Sequence, residues 1–264
     1  MERRFWSPPS ILTSLVLSGV TSGVIGFPPA AIAAPVNNVP LEVRQVLDNI
    51  EAAANDRDLD RVMGYYSPGF DSDTGFNYSG LRQTLSTLWQ TYRSLTYDIE
   101  LLSWEAVGGG VYTVETLTRV NGVTARSDRE LTLSAEVTSR QRLQNGQVAY
   151  QQVLAETSRL SSGANPPQLQ IQLPTTLTPG QPFSFDTVVT EPLQGRSLMG
   201  AAVDEGVTAT DFFVPRPVVL DVLTAGGLYK LGTAPLSADQ RWISAVIIRE
   251  DGLVVDTRRV QILP

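Results

Sequence analysis

Asp56, Asp58 and Asp60 stand two residues apart at the start of NDRDLDRVMGYYSPGFDSD, residues 55–73, and Asp71 and Asp73 close the stretch. Carboxylates at this spacing open a calcium loop, in which positions 1, 3 and 5 give oxygens, position 6 is a glycine and position 12 is a bidentate glutamate. With Asp56 at position 1, position 6 is Arg61 and position 12 is Ser67. Both deciding positions fail. Leu59, Val62 and Met63 also begin an apolar helical face inside the supposed loop. The spacing therefore predicts a capped helix start and no metal, with Asp56 or Asp58 accepting backbone N–H bonds. DSDTG, residues 71–75, reads as an Asx-type turn.

Other chemistry is narrowed by composition. There is no Cys and no His, which removes disulfides, thiol nucleophiles and imidazole acid–base pairs. No G-x-S-x-G or P-loop occurs, and GGLYKLG around Lys230, the only lysine, reads as a hairpin or loop. A general acid or base would have to come from Asp98, Glu100, Glu115, Asp128, Glu130 or Glu136. Asp98 and Glu100 share a strand face with Leu102 and Trp104, because residues two apart point the same way. Turned inward, one carboxylate would lie beside Tyr65, Tyr66 or Tyr112 with a raised pKa. Turned outward, they would pair with Arg119, Arg126 or Arg129, the arrangement that the cost of burying charge favours. Trp89, Tyr92, Tyr97, Trp104 and Tyr112 form an aromatic group that is core or, in the functional reading, the wall of an apolar pocket. The candidate pocket residues are thus Tyr65, Tyr66, Trp89, Tyr92, Trp104, Tyr112, Asp98 and Glu100. No catalytic residue, metal or cofactor is assigned.

The elements that must hold these residues come in two styles. Val43, Val46, Leu47, Ile50, Ala53 and Ala54 mark one face of a first helix behind Pro40. Leu59, Val62, Met63 and Tyr66 predict a short second helix, stopped by Pro68. Leu81, Leu85, Leu88, Trp89, Tyr92 and Leu95 predict a third, after Asn77 and Ser79. Strands follow, with turns expected at residues 108–110, at Asn121-Gly122 and at Asn145-Gly146. Three helices and an antiparallel meander of about four strands make an α+β pattern. SSGANPPQ, residues 161–168, reads as a linker. Beyond it lie only short strands, with Phe183 and Phe185 on one face and a tight turn expected at Asp251-Gly252, which argues for a β-sandwich.

VLDNIEAAANDRDLDRVMGYYSPGF and GLRQTLSTLWQTYRSLTYDIELLSWE, with the strands after them, resemble the nuclear transport factor 2-like superfamily, including its ketosteroid-isomerase-like and polyketide-cyclase-like domains. The resemblance covers about residues 40–160. It implies a cone of helices against a curved sheet with a pocket inside. It also implies one of three roles: enzyme, ligand-binding module or dimerisation module. The last 96 residues resemble immunoglobulin-like sandwiches at the level of architecture only.

Residues 1–34 read as a secretory signal peptide: Arg3 and Arg4, an uncharged stretch over residues 11–27, then small residues at Ala31 and Ala33 for cleavage after Ala33 or Ala34. Loss of Glu2, Arg3 and Arg4 leaves 18 basic and 26 acidic residues. That acidic balance disfavours nucleic acid and anionic membranes as partners. The expected order is signal peptide 1–34, α+β cone 35–162, linker 163–168 and β-sandwich 169–264. The expected function is an exported, periplasmic or extracellular non-catalytic protein. Its cone would bind a small apolar ligand or a protein partner, and its sandwich would serve assembly or adhesion. The alternatives are an isomerase, dehydratase or cyclase using a Tyr and a carboxylate, and a structural homodimer formed through the sheet with a filled cone.

Overall fold

The computed structural model describes residues 5–6, 38–124, 130–207 and 217–264. The expected signal segment, residues 1–34, lies outside the described residues apart from β1 (Phe5–Trp6). So do Arg126, Asp128 and Arg129. The described residues fall in two compact units. One comprises residues 38–124 and 135–156. The other comprises 5–6, 130–134, 157–207 and 217–264. Among the described residues no helix is long and apolar enough to cross a membrane.

The first unit is α+β. α1 (Leu41–Asn55) buries the six residues of its predicted stripe, Val43, Val46, Leu47, Ile50, Ala53 and Ala54. Each larger apolar side chain so buried contributes ~1.5–3 kcal/mol. α2 (Leu59–Gly64) is capped by Asp58, whose carboxylate accepts the Arg61 N–H at 3.0 Å. The helix ends four residues before Pro68, so Tyr66 opens strand β2 (Tyr66–Ser72) and does not close a helix. The proline lies within that strand. α3 (Tyr78–Thr91) is capped by Asn77 and buries Leu81, Thr84, Leu85 and Leu88. The predicted stripe overran it: Tyr92 and Leu95 begin β3 (Tyr92–Gly108) and keep their inward faces as strand residues.

β4 (Val111–Thr124), β5 (Thr132–Gln144) and the first part of β6 (Gln147–Gly163) complete the meander, in the order β6-β5-β4-β3. β2 pairs in parallel with β6. Asn145 and Gly146 turn at φ 53° and 72°, as a tight hairpin of this type requires. Asn121-Gly122 is not a turn. β4 runs through it, with Asn121 opposite Thr96 and Gly122 opposite Leu95. A Cβ on Gly122 would stand 2.6 Å from Leu95 Cδ2 and 2.9 Å from the Ser94 carbonyl, so the glycine serves close approach of strands.

β3 is the edge of this order, and α1 covers part of it. Asn55 donates to the Tyr97 carbonyl at 2.9 Å and accepts the Tyr97 N–H at 2.8 Å. Glu51 accepts the Ile99 N–H at 2.7 Å. The helix thus meets edge groups that would otherwise pair with another strand. Arg57, in the left-handed region at φ 56°, donates to the carbonyls of Trp89 and Tyr92 at the end of α3. A cation there also meets the negative end of the helix dipole.

Among its described residues the regular elements of the second unit are all strands. β7 (Leu169–Gln172), β8 (Thr176–Leu177), β9 (Pro182–Val189), β10 (Met199–Gly206), β11 (Pro217–Val218), β12 (Asp221–Val222), β13 (Gly227–Thr233), β14 (Asp239–Arg249) and β15 (Gly252–Ile262) follow one another. One sheet has the order β13-β9-β7. The other runs β12-β10-β14-β15 and continues to the last residues of β6, Thr157–Gly163. Phe185, Val189 and Leu228 from the first sheet and Ile243, Ile247 and Val254 from the second share one apolar core. Phe183 packs against that core too, so the two phenylalanines do share a face. Its ring lies against Gly232, where a Cβ would come within 2.7 Å. β14 and β15 turn over Glu250-Asp251, one residue before the expected position.

Candidate functional site

Each element of the α+β unit contributes to one interior cavity of about 40 Å³. α1 supplies Leu47, Ile50 and Ala54, α2 supplies Val62 and α3 supplies Leu85. Strands β2, β3 and β4 bring Tyr66, Tyr97, Ile99 and Thr118. β5 and β6 bring Val137, Ser139, Gln141 and Gln151. One side is apolar and helical. The sheet adds the apolar Ile99 and Val137 and a polar patch of Thr118, Ser139, Gln141 and Gln151. A single water needs ~10–15 Å³ on this measure, so the space holds about three waters. Drug-sized ligands take ~300–1,000 Å³.

The polar patch is incompletely paired. Gln151 Nε2 donates to Ser139 Oγ at 3.1 Å. Gln141 Oε1 and Gln151 Oε1 are sealed from bulk solvent and have no hydrogen-bond partner among the described residues. Gln141, Gln151 and Ser139 are 7%, 3% and 1% exposed. A buried unpaired carbonyl costs about 1–3 kcal/mol, so such groups call for an explanation.

The titratable groups of the lining are two tyrosines. Burial pushes Tyr66 up to about 12. Tyr97 also rises to about 12, because burial outweighs the Trp89 hydrogen bond and the nearby Arg57 charge. Both stay protonated near neutral pH and act as hydroxyls, not as bases. Among the described residues the lining contains no carboxylate, guanidinium or ammonium.

Of the eight residues expected at a pocket, the structure brings Tyr66 to the cavity. Trp89 stands behind it, its indole N–H donating to the Tyr97 hydroxyl at 2.9 Å. Tyr92 is buried core, and burial raises its pKa. Tyr65 is the half-buried C-cap of α2, and its carbonyl accepts the Val148 N–H at 2.8 Å. Trp104 and Tyr112 lie elsewhere, with ring centroids 6.5 Å apart. The Tyr112 hydroxyl donates to Glu42, which holds its proton and raises its pKa. Asp98 and Glu100 are exposed and face Arg119, at 3.6 Å and 2.8 Å. Glu136 joins the same guanidinium at 3.5 Å. Solvation and this shared cation keep both carboxylates on the outer face.

The aspartates of the opening stretch diverge. Asp56 pairs with Arg61 at 2.9 Å, Asp58 caps α2 and Asp60 pairs with Arg82 at 2.6 Å. Asp71 accepts the Ser72 N–H and Asp73 the Val153 N–H.

Ser139, Gln141, Gln151 and Thr118 were not singled out from sequence. A signal for two of them exists in β5, where Leu133, Ala135 and Val137 are followed at the same period by Ser139 and Gln141. A polar pair on an otherwise apolar inward face marks a place where the core is interrupted.

A family described as Domain of unknown function (DUF8623) matches residues 164–263. No curated protein matches the chain. Several solved structures are similar in fold. A type 2 hexachlorocyclohexane dehydrochlorinase (LinA) is 12% identical, over 42% of this chain and 81% of its own, with a TM-score of 0.35. A protein of ketosteroid isomerase-like fold from Catenulispora acidiphila, in complex with trimethylamine, is 8% identical over 41% and 83%, at 0.29. An LEH-like epoxide hydrolase of M. tuberculosis is 13% identical over 42% and 80%, at 0.28. These neighbours are of nuclear transport factor 2-like type. At these scores they carry nothing about substrate or residue roles.

Proposed function

We propose that this is an exported, non-catalytic protein whose α+β cone binds a small neutral ligand. Its β-sandwich, of immunoglobulin-like kind, would serve assembly or adhesion. The observation that carries the reading is the cavity itself: largely apolar with one polar patch, lined among the described residues without a charged side chain, and furnished with two unpaired amide carbonyls. A charged ligand would be buried there without a counter-ion, at prohibitive cost. The residues 1–34 pattern supports export. Tyr229 and Leu231, exposed on one face of β13, support a contact role for the sandwich. The structural alternative draws support from the small volume of the cavity. Pairing through the outer sheet face would have to bury Asp98, Glu100, Glu136 and Arg119. An enzyme of the isomerase, dehydratase or cyclase kind would need a carboxylate brought to Tyr66 or Tyr97.

Backbone amide NMR of the mature chain tests the reading, with 2-propanol and acetamide as neutral probes and acetate and methylammonium as charged ones. Saturable shifts at Thr118, Ser139 and Gln151 with the neutral probes are expected, and none with the ions. Saturation by acetate or methylammonium at these residues, or by no probe at all, contradicts it.

A further inference from the structure

The two carbonyl oxygens narrow the ligand further. Resting on the pocket reading above, we propose that the cone selects a neutral hydrogen-bond donor of about three or four heavy atoms, held by Gln141 Oε1 and Gln151 Oε1. The geometry divides the patch into filled and open valences. On Gln151 the amide N–H is committed to Ser139 Oγ, which leaves the carbonyl as the open side. On Gln141 the carbonyl is likewise open. Both residues are more than nine-tenths buried, so bulk water does not complete them. An amide carbonyl accepts and cannot donate, so the ligand must bring N–H or O–H, one hydrogen to complete either carbonyl and two to complete both. The facing wall of Leu47, Ile50, Val62 and Leu85 takes the remainder of the molecule as hydrocarbon. A hydroxyl or primary amide on a short aliphatic stem fits both halves. A ketone or ether of the same size leaves the carbonyls unpaired and places its own oxygen against them.

2-Propanol and acetone make the matched pair, since each has four heavy atoms and the same branched skeleton but only the alcohol donates. Dissociation constants come from NMR titration of the mature, wild-type chain, read at Thr118, Ser139 and Gln151. The alcohol is expected to bind about fivefold more tightly than acetone, the worth of one net hydrogen bond. In the Gln141→Met/Gln151→Met protein the preference is expected to fall below about twofold while binding of acetone persists. Equal or tighter binding of acetone by the wild type overturns the donor assignment and leaves the pocket standing. Binding of neither overturns the pocket reading and the assignment together. If the double variant does not fold, Gln141→Met alone serves. An alcohol preference that this substitution does not lower, in either protein, also overturns the assignment.

Discussion

Two polar sites in the interior, one in each unit, treat buried valence in opposite ways. In the strand-built unit, the Arg249 side chain is fully buried. Its Nε donates to Asp251 at 2.5 Å, its Nη1 to Glu191 at 2.8 Å and its Nη2 to the Asn165 carbonyl at 2.8 Å. Arg196 and Asn165 complete Asp251, at 2.7 Å and 3.2 Å. The network spans residues 165–251 and fastens the stretch expected to be a linker, whose Pro167 is buried. In the α+β unit, neutral amides are just as deep, yet two carbonyls have no partner among the described residues. A charged network completed by the chain is part of the fold. A neutral patch left incomplete weakens the fold and is explained by something from outside the chain.

The contrast predicts a graded set of stability changes, read from denaturant unfolding. The largest belongs to Arg249→Met, which takes the buried guanidinium from Glu191 and leaves Asp251 with Arg196 and Asn165. It should cost about 4 kcal/mol, as breaking a buried ion pair does. Acid probes the same network. The hydrogen bond from Arg249 is the largest influence on Asp251, which it holds below the ordinary carboxylate value. A lowered folded-state value means that the stabilisation is present above the unfolded pKa near 4 and is lost as pH falls through the lower folded value. The Arg249→Met protein should lose most of the stability difference between pH 5 and pH 2 that this site contributes. An unchanged acid profile would contradict the assignment.

Asn55→Ala comes next. Its amide makes two hydrogen bonds to the Tyr97 backbone, so its loss should cost about 2 kcal/mol and expose the β3 edge. Faster hydrogen exchange at Tyr97 should accompany it. Asp58→Ala removes an exposed cap and should cost about 1 kcal/mol. A loss above about 3 kcal/mol would show that the opening aspartates do more than end and begin helices.

The legibility of the sequence followed the same division. The α1 stripe was readable because every residue in it answers to one period, and all six are buried. Asn145-Gly146 was readable because its left-handed dihedrals favour those residue types. Asn121-Gly122 misled because glycine also serves close packing, and the two uses share the same letters. The Arg249 network was hidden by distance, since its partners lie 58 and 84 residues away in the chain. The cavity was hidden for a different reason. Alternation in β5 turns Gln141 inward, but no local pattern tells whether an inward amide finds its partners.

That question is settled most directly by Gln141→Met, a near-isosteric exchange that removes one open carbonyl from the interior of the α+β unit. Replacement of an unsatisfied buried polar group by an apolar one of similar shape is near neutral or stabilising. The account predicts an unfolding free energy equal to the wild type or higher by up to about 1 kcal/mol, against the loss at Asn55→Ala. A loss of about 2 kcal/mol or more would show that Gln141 is completed within the fold and would contradict an interior kept open for a ligand.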